Sequence, residues 1–301
     1  MFRLPTAKLS AAVLALSAVL SPAKSQDLRS AIDIHIHADP DSMPRSIDAI
    51  ALARLARERG MGGLLLKNHF EPTASLAYAV EQAVPGIRVV GGIALNRPVG
   101  GINPAAVERM ALAKGGFGRV VWMPTFDAEN DVRVSGADRA FVPIAREGRL
   151  LPEVLEVLKL IAKHRLALAT GHASAAETLL LIREARKAGV ERIVVTHPTY
   201  PPVSMNLDQM KEAASMGAYL ELIYRALIVS PPAATIDDYA AIVRAAGADR
   251  CILATDLGKE GEPLHPDGLA DYFARLRKAG FSDDEIDCMA RRNPARLLGF
   301  D

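Results

Sequence analysis

The chain has 301 residues, with 36 Lys and Arg against 35 Asp and Glu and a formal net charge of +1; half of its residues are hydrophobic and two are cysteine. Such a balance gives no electrostatic case for nucleic acid or an anionic membrane surface as partner. Two cysteines, Cys251 and Cys288, are not a disulfide framework and read as separate buried thiols, and the length suits one large domain or two small ones.

The first 25 residues stand apart. "MFRLPTAKLS" carries Arg3 and Lys8 and no acid, "AAVLALSAVL" is a short apolar core, and "SPAKS" offers Ala23 and Ser25 just before Gln26. This is the layout of a secretory signal peptide, with an apolar core too short to span a membrane. The expectation is an exported protein, periplasmic or secreted, with a mature chain of 26–301. The plainer alternatives are a buried N-terminal helix or an uncleaved anchor. Without Arg3, Lys8 and Lys24, the mature chain carries 33 basic against 35 acidic residues, a charge of −2. No later run is long and apolar enough to span a bilayer, so no membrane association is expected after cleavage.

The mature chain opens on "IDIHIHADP" (32–40). Residues i and i+2 of a strand face the same side, so His35 and His37 would aim two imidazoles at one spot and could share a metal ion. Two exposed or hydrogen-bonded histidines near a turn are the alternative. Further apolar runs follow: "GGLLLK" (62–67), "IRVVGGIAL" (87–95), "RVVWM" (119–123), "LALAT" (166–170), "RIVVT" (192–196), "AYLELI" (218–223) and "CILAT" (251–255). Helical patterns lie between them, such as "SIDAIALARLARERG" (46–60), "EVLEVLKLIAKH" (153–164) and "AAETLLLIREARKAG" (175–189), with apolar residues at spacings of three and four. Strands apolar on nearly every residue read as parallel and covered on both faces. Eight strand–helix units in one domain, 26–301, predict an α/β fold, a (β/α)8 barrel; a doubly wound open sheet is the runner-up. The longest irregular connection is 124–151, which includes "AREGRL", a plausible hairpin. On a barrel such a loop lies over the active-site face.

Of the seven histidines, only His164 sits in a helical pattern, at its end, and reads as a surface residue. The other six fall at or just after strand C-termini, as do Lys67 in "KNH" and Asp256 in "LATD". In a barrel these positions converge on one rim. That convergence strengthens the metal reading, since scattered surface histidines would not select strand ends.

The motifs "DIHIH", "TGH", "THP" and "ATD" on the first, fifth, sixth and eighth predicted strands, with the ending "RRNPARLLGFD" (291–301), resemble the amidohydrolase superfamily of metal-dependent hydrolases. The resemblance covers nearly the whole mature chain, and its specificity lies in the order and strand positions of the motifs. It implies that His35, His37 and His172 are metal ligands. His197 matches a residue that is either a ligand of a second metal or an electrophile beside the substrate. Asp256 matches a ligand that also accepts the proton of metal-bound water. One departure stands out. Where binuclear members carry a lysine or glutamate, the fourth strand ends "WMPT" with Trp122, which favours a single ion. Lys67, after the second strand, reads as a cation for a substrate carboxylate or phosphate, or else as a carbamylated bridge between two metals.

Three imidazoles and a carboxylate suit zinc, with manganese or iron as alternatives. The implied function is hydrolysis of an amide, lactone or other ester of a small-molecule substrate by a metal-activated water, with Asp256 as base and His197 stabilising the developing charge. Lys67, His69 and Tyr224 are candidate substrate contacts. Glu221 could face the site or orient a ligand, Tyr200 could line the mouth, and Trp122 either packs on substrate or fills the barrel top. "HPDG" (265–268) reads as a helix cap, with His265 close enough to the pocket to be considered. Two other classes stay open: a decarboxylase or other lyase on the same scaffold, and a non-catalytic metal- or ligand-binding protein. A homo-oligomer is compatible with the sequence.

Overall fold

The computed structural model describes residues 28–300, and the predicted export signal, 1–25, lies outside the described residues. In chain order the strands are β1 (Ile32–Ile36), β2 (Gly63–Leu66), β3 (Arg88–Ala94), β4 (Gly118–Trp122), β5 (Ala145–Arg146), β6 (Arg149–Leu150), β7 (Ala167–Ala169), β8 (Arg192–Val195), β9 (Tyr219–Ile223) and β10 (Cys251–Ala254). Eight of them form one parallel sheet in the order β1-β2-β3-β4-β7-β8-β9-β10, and β5 and β6 form a separate antiparallel hairpin over "AREGRL". The eight apolar runs of the sequence are therefore the eight barrel strands. Their side chains are buried almost throughout because helices cover the outer face and packed side chains fill the interior.

The helices are α1 (Ala49–Glu58), α2 (Ala74–Ala83), α3 (Pro104–Ala111), α4 (Glu129–Ser135), α5 (Pro152–Lys163), α6 (Ala175–Lys187), α7 (Leu207–Ser215), α8 (Ile236–Ala246), α9 (His265–Lys278), α10 (Asp283–Asp287) and α11 (Asn293–Leu298). Their ends follow local chemistry. Ser174 and Glu177 form a capping box at the start of α6, and Pro152 opens α5, where its missing N–H costs nothing. In α5 the residues Val154, Val157, Leu158 and Ile161 share one face and are buried on the barrel. The connection 124–151 contains α4, which apolar periodicity does not reveal, since Val132 is its one buried residue. Its signal is polar: Glu129 and Asp131 in the first turn, and Gly136 in the left-handed conformation past the end.

The barrel closes between β1 and the segment leaving β10. Asp256 N donates to His35 O at 2.8 Å, and His37 N donates to Leu257 O at 3.0 Å. Below them the buried carboxylate of Asp33 accepts from Thr255 N at 3.0 Å and Thr255 Oγ1 at 2.5 Å, and from His35 N at 3.2 Å. The seam is thus fastened where two of the predicted ligands leave their strands. The tail motif forms α11, and Asn293 Nδ2 ties it to Cys251 O at 2.8 Å, at the start of β10.

Candidate metal centre and cleft

Each predicted ligand is aimed by the backbone at its strand end. His35 lies within β1, and His37 follows it by one residue; both are buried. His172 follows β7 through Gly171, whose φ is +62°. A Cβ there would come 2.3 Å from Met123 O and 2.4 Å from Pro124 O. Only glycine admits this approach, which lets His172 N donate to Pro124 O at 2.9 Å. Asp256 and His197 themselves have φ of +53° and +27°, uncommon for residues with a side chain. Backbone in sparsely populated regions is held at functional sites when the surroundings over-determine it.

His35, His37 and Asp256 converge so that one ligating atom from each lies within 4.8 Å of the others, and all three are buried. Asp256 Oδ1 is 3.0 Å from His35 Nε2 and 3.3 Å from His37 Nε2. Lys67 Nζ stands beside them, 2.9 Å from His35 Nε2 and 5.8 Å from the centroid of the Trp122 ring. Glu221 holds two rim residues together: Oε1 takes His35 Nδ1 at 3.1 Å, and Oε2 takes His197 N at 2.9 Å. His172 is outside the trio but on the same rim. Its ring centroid is 5.1 Å from that of His197, and its Nδ1 is 2.7 Å from Asp131 Oδ2 on α4.

Of these groups, His37, Lys67, Asp131, His172, His197 and Asp256 line a cleft of about 370 Å³, with His69, Phe126, Tyr200, Arg45, Arg225 and Lys259 at its walls and mouth. On His35, Nε2 faces Asp256 Oδ1 and Lys67 Nζ. A carboxylate only accepts, so the Nδ1 of His35 and the Nδ1 of His172 both donate, which makes Nε2 the ring atom each can offer a metal. That is the form in which imidazole binds a metal, with the carboxylate behind it fixing ring and tautomer.

A model of the family of unknown function DUF6282 matches residues 30–221. The phosphotriesterase family model matches residues 145–298, which is half of the chain. The chain belongs to both families. Membership of the phosphotriesterase family makes it a metal-dependent hydrolase of the amidohydrolase superfamily. No curated protein matches the sequence. Among solved structures, the organophosphorus hydrolase from Deinococcus radiodurans is similar over 91% of this chain and 94% of its own, at 15% identity and a TM-score of 0.60. A structure from work on engineering organophosphate hydrolysis from a weak promiscuous lactonase template is similar over 91% of this chain and 97% of its own, at 16% identity and a TM-score of 0.60. At such identities the likeness carries the fold, the (β/α)8 barrel.

Within this phosphotriesterase-family barrel, burial dominates the electrostatics. It pushes the pKa of His37 and of His172 well below the ordinary value and that of His197 down to about 3, so these rings are neutral. Burial alone would raise the Asp256 carboxyl, but His35 and His37 beside it hold it well below the usual range. Burial also lowers Lys67 to about 8, against the attraction of Asp256 and Glu221. His35 is the exception among the rings: against its burial, the carboxylates of Asp256 and Glu221 hold its pKa up at about 9, and a bound cation would displace that proton. The donor set fits a divalent ion: neutral rings on His37 and His172, an ionised carboxylate, and a buried His37 Nδ1 with no partner among the described residues.

Several expectations resolve differently. Tyr224 turns away from the cleft. Its hydroxyl donates to Asp271 Oδ2 at 2.7 Å, and its ring packs on Tyr272, because the short helical turn that follows β9 carries it to the outer layer. Trp122 is buried in the barrel top under Lys67 and is not among the residues lining the cleft. His265 opens α9 and holds Leu257 O at 2.9 Å through Nε2, again outside the cleft lining. Tyr200 does line the mouth, and Glu221 does orient a rim histidine.

Asp131, Phe126, Asn96 and Thr125 were missed. They sit in connections without a chemical motif, and the one signal for Asp131, Phe126 and Thr125 is the length of the 124–151 connection.

Proposed function

We propose that the protein holds one divalent ion, zinc by preference, through His35, His37, His172 and Asp256, and hydrolyses a lactone or other ester of a small-molecule substrate. The observation that carries this reading is the buried convergence of His35, His37 and Asp256 at the floor of a cleft that His172 and His197 also line. A divalent ion bound there lowers the pKa of a water toward neutrality.

Asp256 is placed to take the proton of the attacking water, since its second function beside ligation needs only an ionised carboxylate at the cleft floor. His197 faces the cleft with a neutral ring and is suited to polarise the carbonyl or phosphoryl oxygen. Lys67, buried and cationic below about pH 8, supplies further positive charge next to the reacting oxygens. Its ammonium also stands where a second ion would compete with it, which favours one ion over two. The outer cleft, with Phe126, Tyr200, Pro201 and Pro202, suits an apolar or aromatic leaving group. Retention of Asp256 and His197 together favours hydrolysis over a lyase reaction or mere binding. The signal-like segment before Gln26 supports export of the mature chain.

The test is elemental analysis of purified protein, followed by assay with δ-valerolactone, para-nitrophenyl acetate and diethyl para-nitrophenyl phosphate after zinc loading. One zinc per chain with turnover of at least one of these is the expected result. Protein that refuses zinc and manganese, or that binds zinc and turns over none of the three, contradicts the reading. Two ions per chain, retained in the presence of bicarbonate, would replace the cationic Lys67 with a carbamylated one.

A further inference from the structure

His69 differs from the other cleft histidines in what holds its ring. Asn96 behind it is fully buried, and its amide orientation is unambiguous. Its Oδ1 accepts from Thr125 N at 2.9 Å and from Asp127 N at 3.1 Å. Its Nδ2 therefore donates, to His69 O at 2.7 Å and to Thr125 Oγ1 at 2.6 Å. Thr125 is also fully buried, and with Asn96 donating to it, the hydroxyl proton has one acceptor within reach among the described residues: His69 Nδ1, at 2.9 Å. A buried hydroxyl left without an acceptor costs about 1–3 kcal/mol, so the proton goes to Nδ1. An imidazole that accepts at Nδ1 carries its own proton on Nε2. At His35 and His172 it is Nδ1 that faces a carboxylate and therefore carries a proton. The ring plane of His69 is fixed as well. It is stacked between His37, with centroids 4.8 Å apart, and Phe126, at 4.0 Å. With Nδ1 turned to Thr125, the opposite edge of the ring belongs to the cleft that His69 lines.

We propose that His69 is a catalytic hydrogen-bond donor, not a metal ligand: the Asn96–Thr125 relay fixes its proton on Nε2, and that N–H stabilises the substrate oxygen that gains negative charge when the ester is attacked. The role rests on the hydrolase reading of the same cleft. It adds a second donor from the β2 side, across the cleft from His197. A ring held in this tautomer has no lone pair at Nε2 to give a metal, and Nδ1 is already engaged.

The tautomer is read directly by heteronuclear NMR of the imidazole nitrogens in isotopically labelled, full-length protein, with His69→Gln used to assign the resonance. The expected result is Nε2 protonated and Nδ1 bare, with that preference lost in Thr125→Val. A proton on Nδ1 in the unaltered protein overturns the proposal. The second measurement is zinc content and kcat on para-nitrophenyl acetate. His69→Ala is expected to keep its zinc and to lose kcat by about 10²–10³-fold, as for one oxyanion donor. His69→Gln, which keeps an N–H near the same place, is expected to recover most of that loss. A folded His69→Ala that no longer binds zinc makes His69 a ligand and overturns the proposal. Absence of turnover by the unaltered protein overturns the hydrolase reading and the catalytic role with it. A proton on Nδ1 with turnover intact overturns the His69 assignment alone.

Discussion

At the scale of single residues, two functions meet in Asp256, and substitution can separate them. As a ligand it contributes an oxygen; as a base it must take a proton, and its carboxylate stays ionised because His35 and His37 outweigh its burial. Asp256→Asn keeps the shape and a coordinating oxygen but is a far poorer proton acceptor. We expect it to retain much of its zinc and to lose about 10²–10⁴-fold in kcat, the range of a positioned general base. Near-normal kcat in a zinc-loaded variant would remove Asp256 as the base. Lys67 sets a different limit. Burial moves its pKa down to about 8, so its charge is present below that pH and lost above it. A bound cation pushes it in the same direction. The rate is therefore expected to fall on the alkaline side, with a limb at or below about pH 8 that is missing in Lys67→Met. A pH–rate profile shows this, and an unchanged alkaline limb in the variant would exclude Lys67 as its source.

At the scale of elements, the rim is only as well placed as the seam beneath it. β1 and β10 are not paired along a regular ladder; they are held by hydrogen bonds near their C-terminal ends and by the Asp33 carboxylate, which grips Thr255 through both backbone and hydroxyl. Asp33 is fully buried, so any donor it loses is not replaced by solvent. Thr255→Val removes the hydroxyl at nearly constant volume. It is expected to destabilise the barrel by about 1–3 kcal/mol, as for other buried groups left without a partner, and to weaken zinc binding because His35 and Asp256 flank the seam. Denaturant unfolding with and without zinc measures both effects. Stability and zinc affinity equal to those of the unaltered protein would show that the backbone hydrogen bonds from Asp256 N and His37 N suffice to close the barrel.

At the scale of the molecule, one buried core runs continuously from the barrel interior to the helix layer and takes in Cys251, while Cys288, also buried, lies in the C-terminal helical turn packed against β10. Both thiols are free, and burial pushes the pKa of Cys251 well up, so little thiolate is available. If the chain is exported, as proposed, it meets an oxidising environment; these thiols are expected to stay reduced there and to react with Ellman's reagent only after unfolding. Two equivalents of thiol in denaturant and almost none in the native state is the expected titration. Rapid labelling of the native protein would mean that the domain opens far more readily than its packing implies.

The sequence by itself determined the strand count, the order of the elements and the rim positions of His35, His37, Lys67, His69, His172, His197 and Asp256, because each of these is a local matter. Burial on both strand faces leaves an unbroken apolar run, and the change from that run to a polar residue marks the strand end. What the tertiary structure decided is everything that depends on which loop meets which strand end. Asp131 stands behind His172, Glu221 behind both His35 and His197, and Asn96 behind Thr125 and His69, at sequence separations of 24 to 186 residues for the side-chain partners named. The outward turn of Tyr224 follows from the same cause: a residue one step past a strand faces the cleft or the outer layer according to the turn it enters, and that turn is set by packing on α9. Spacing along the chain locates the rim histidines, but the proton on each ring is placed by the group behind it, and only the closed barrel brings those groups together.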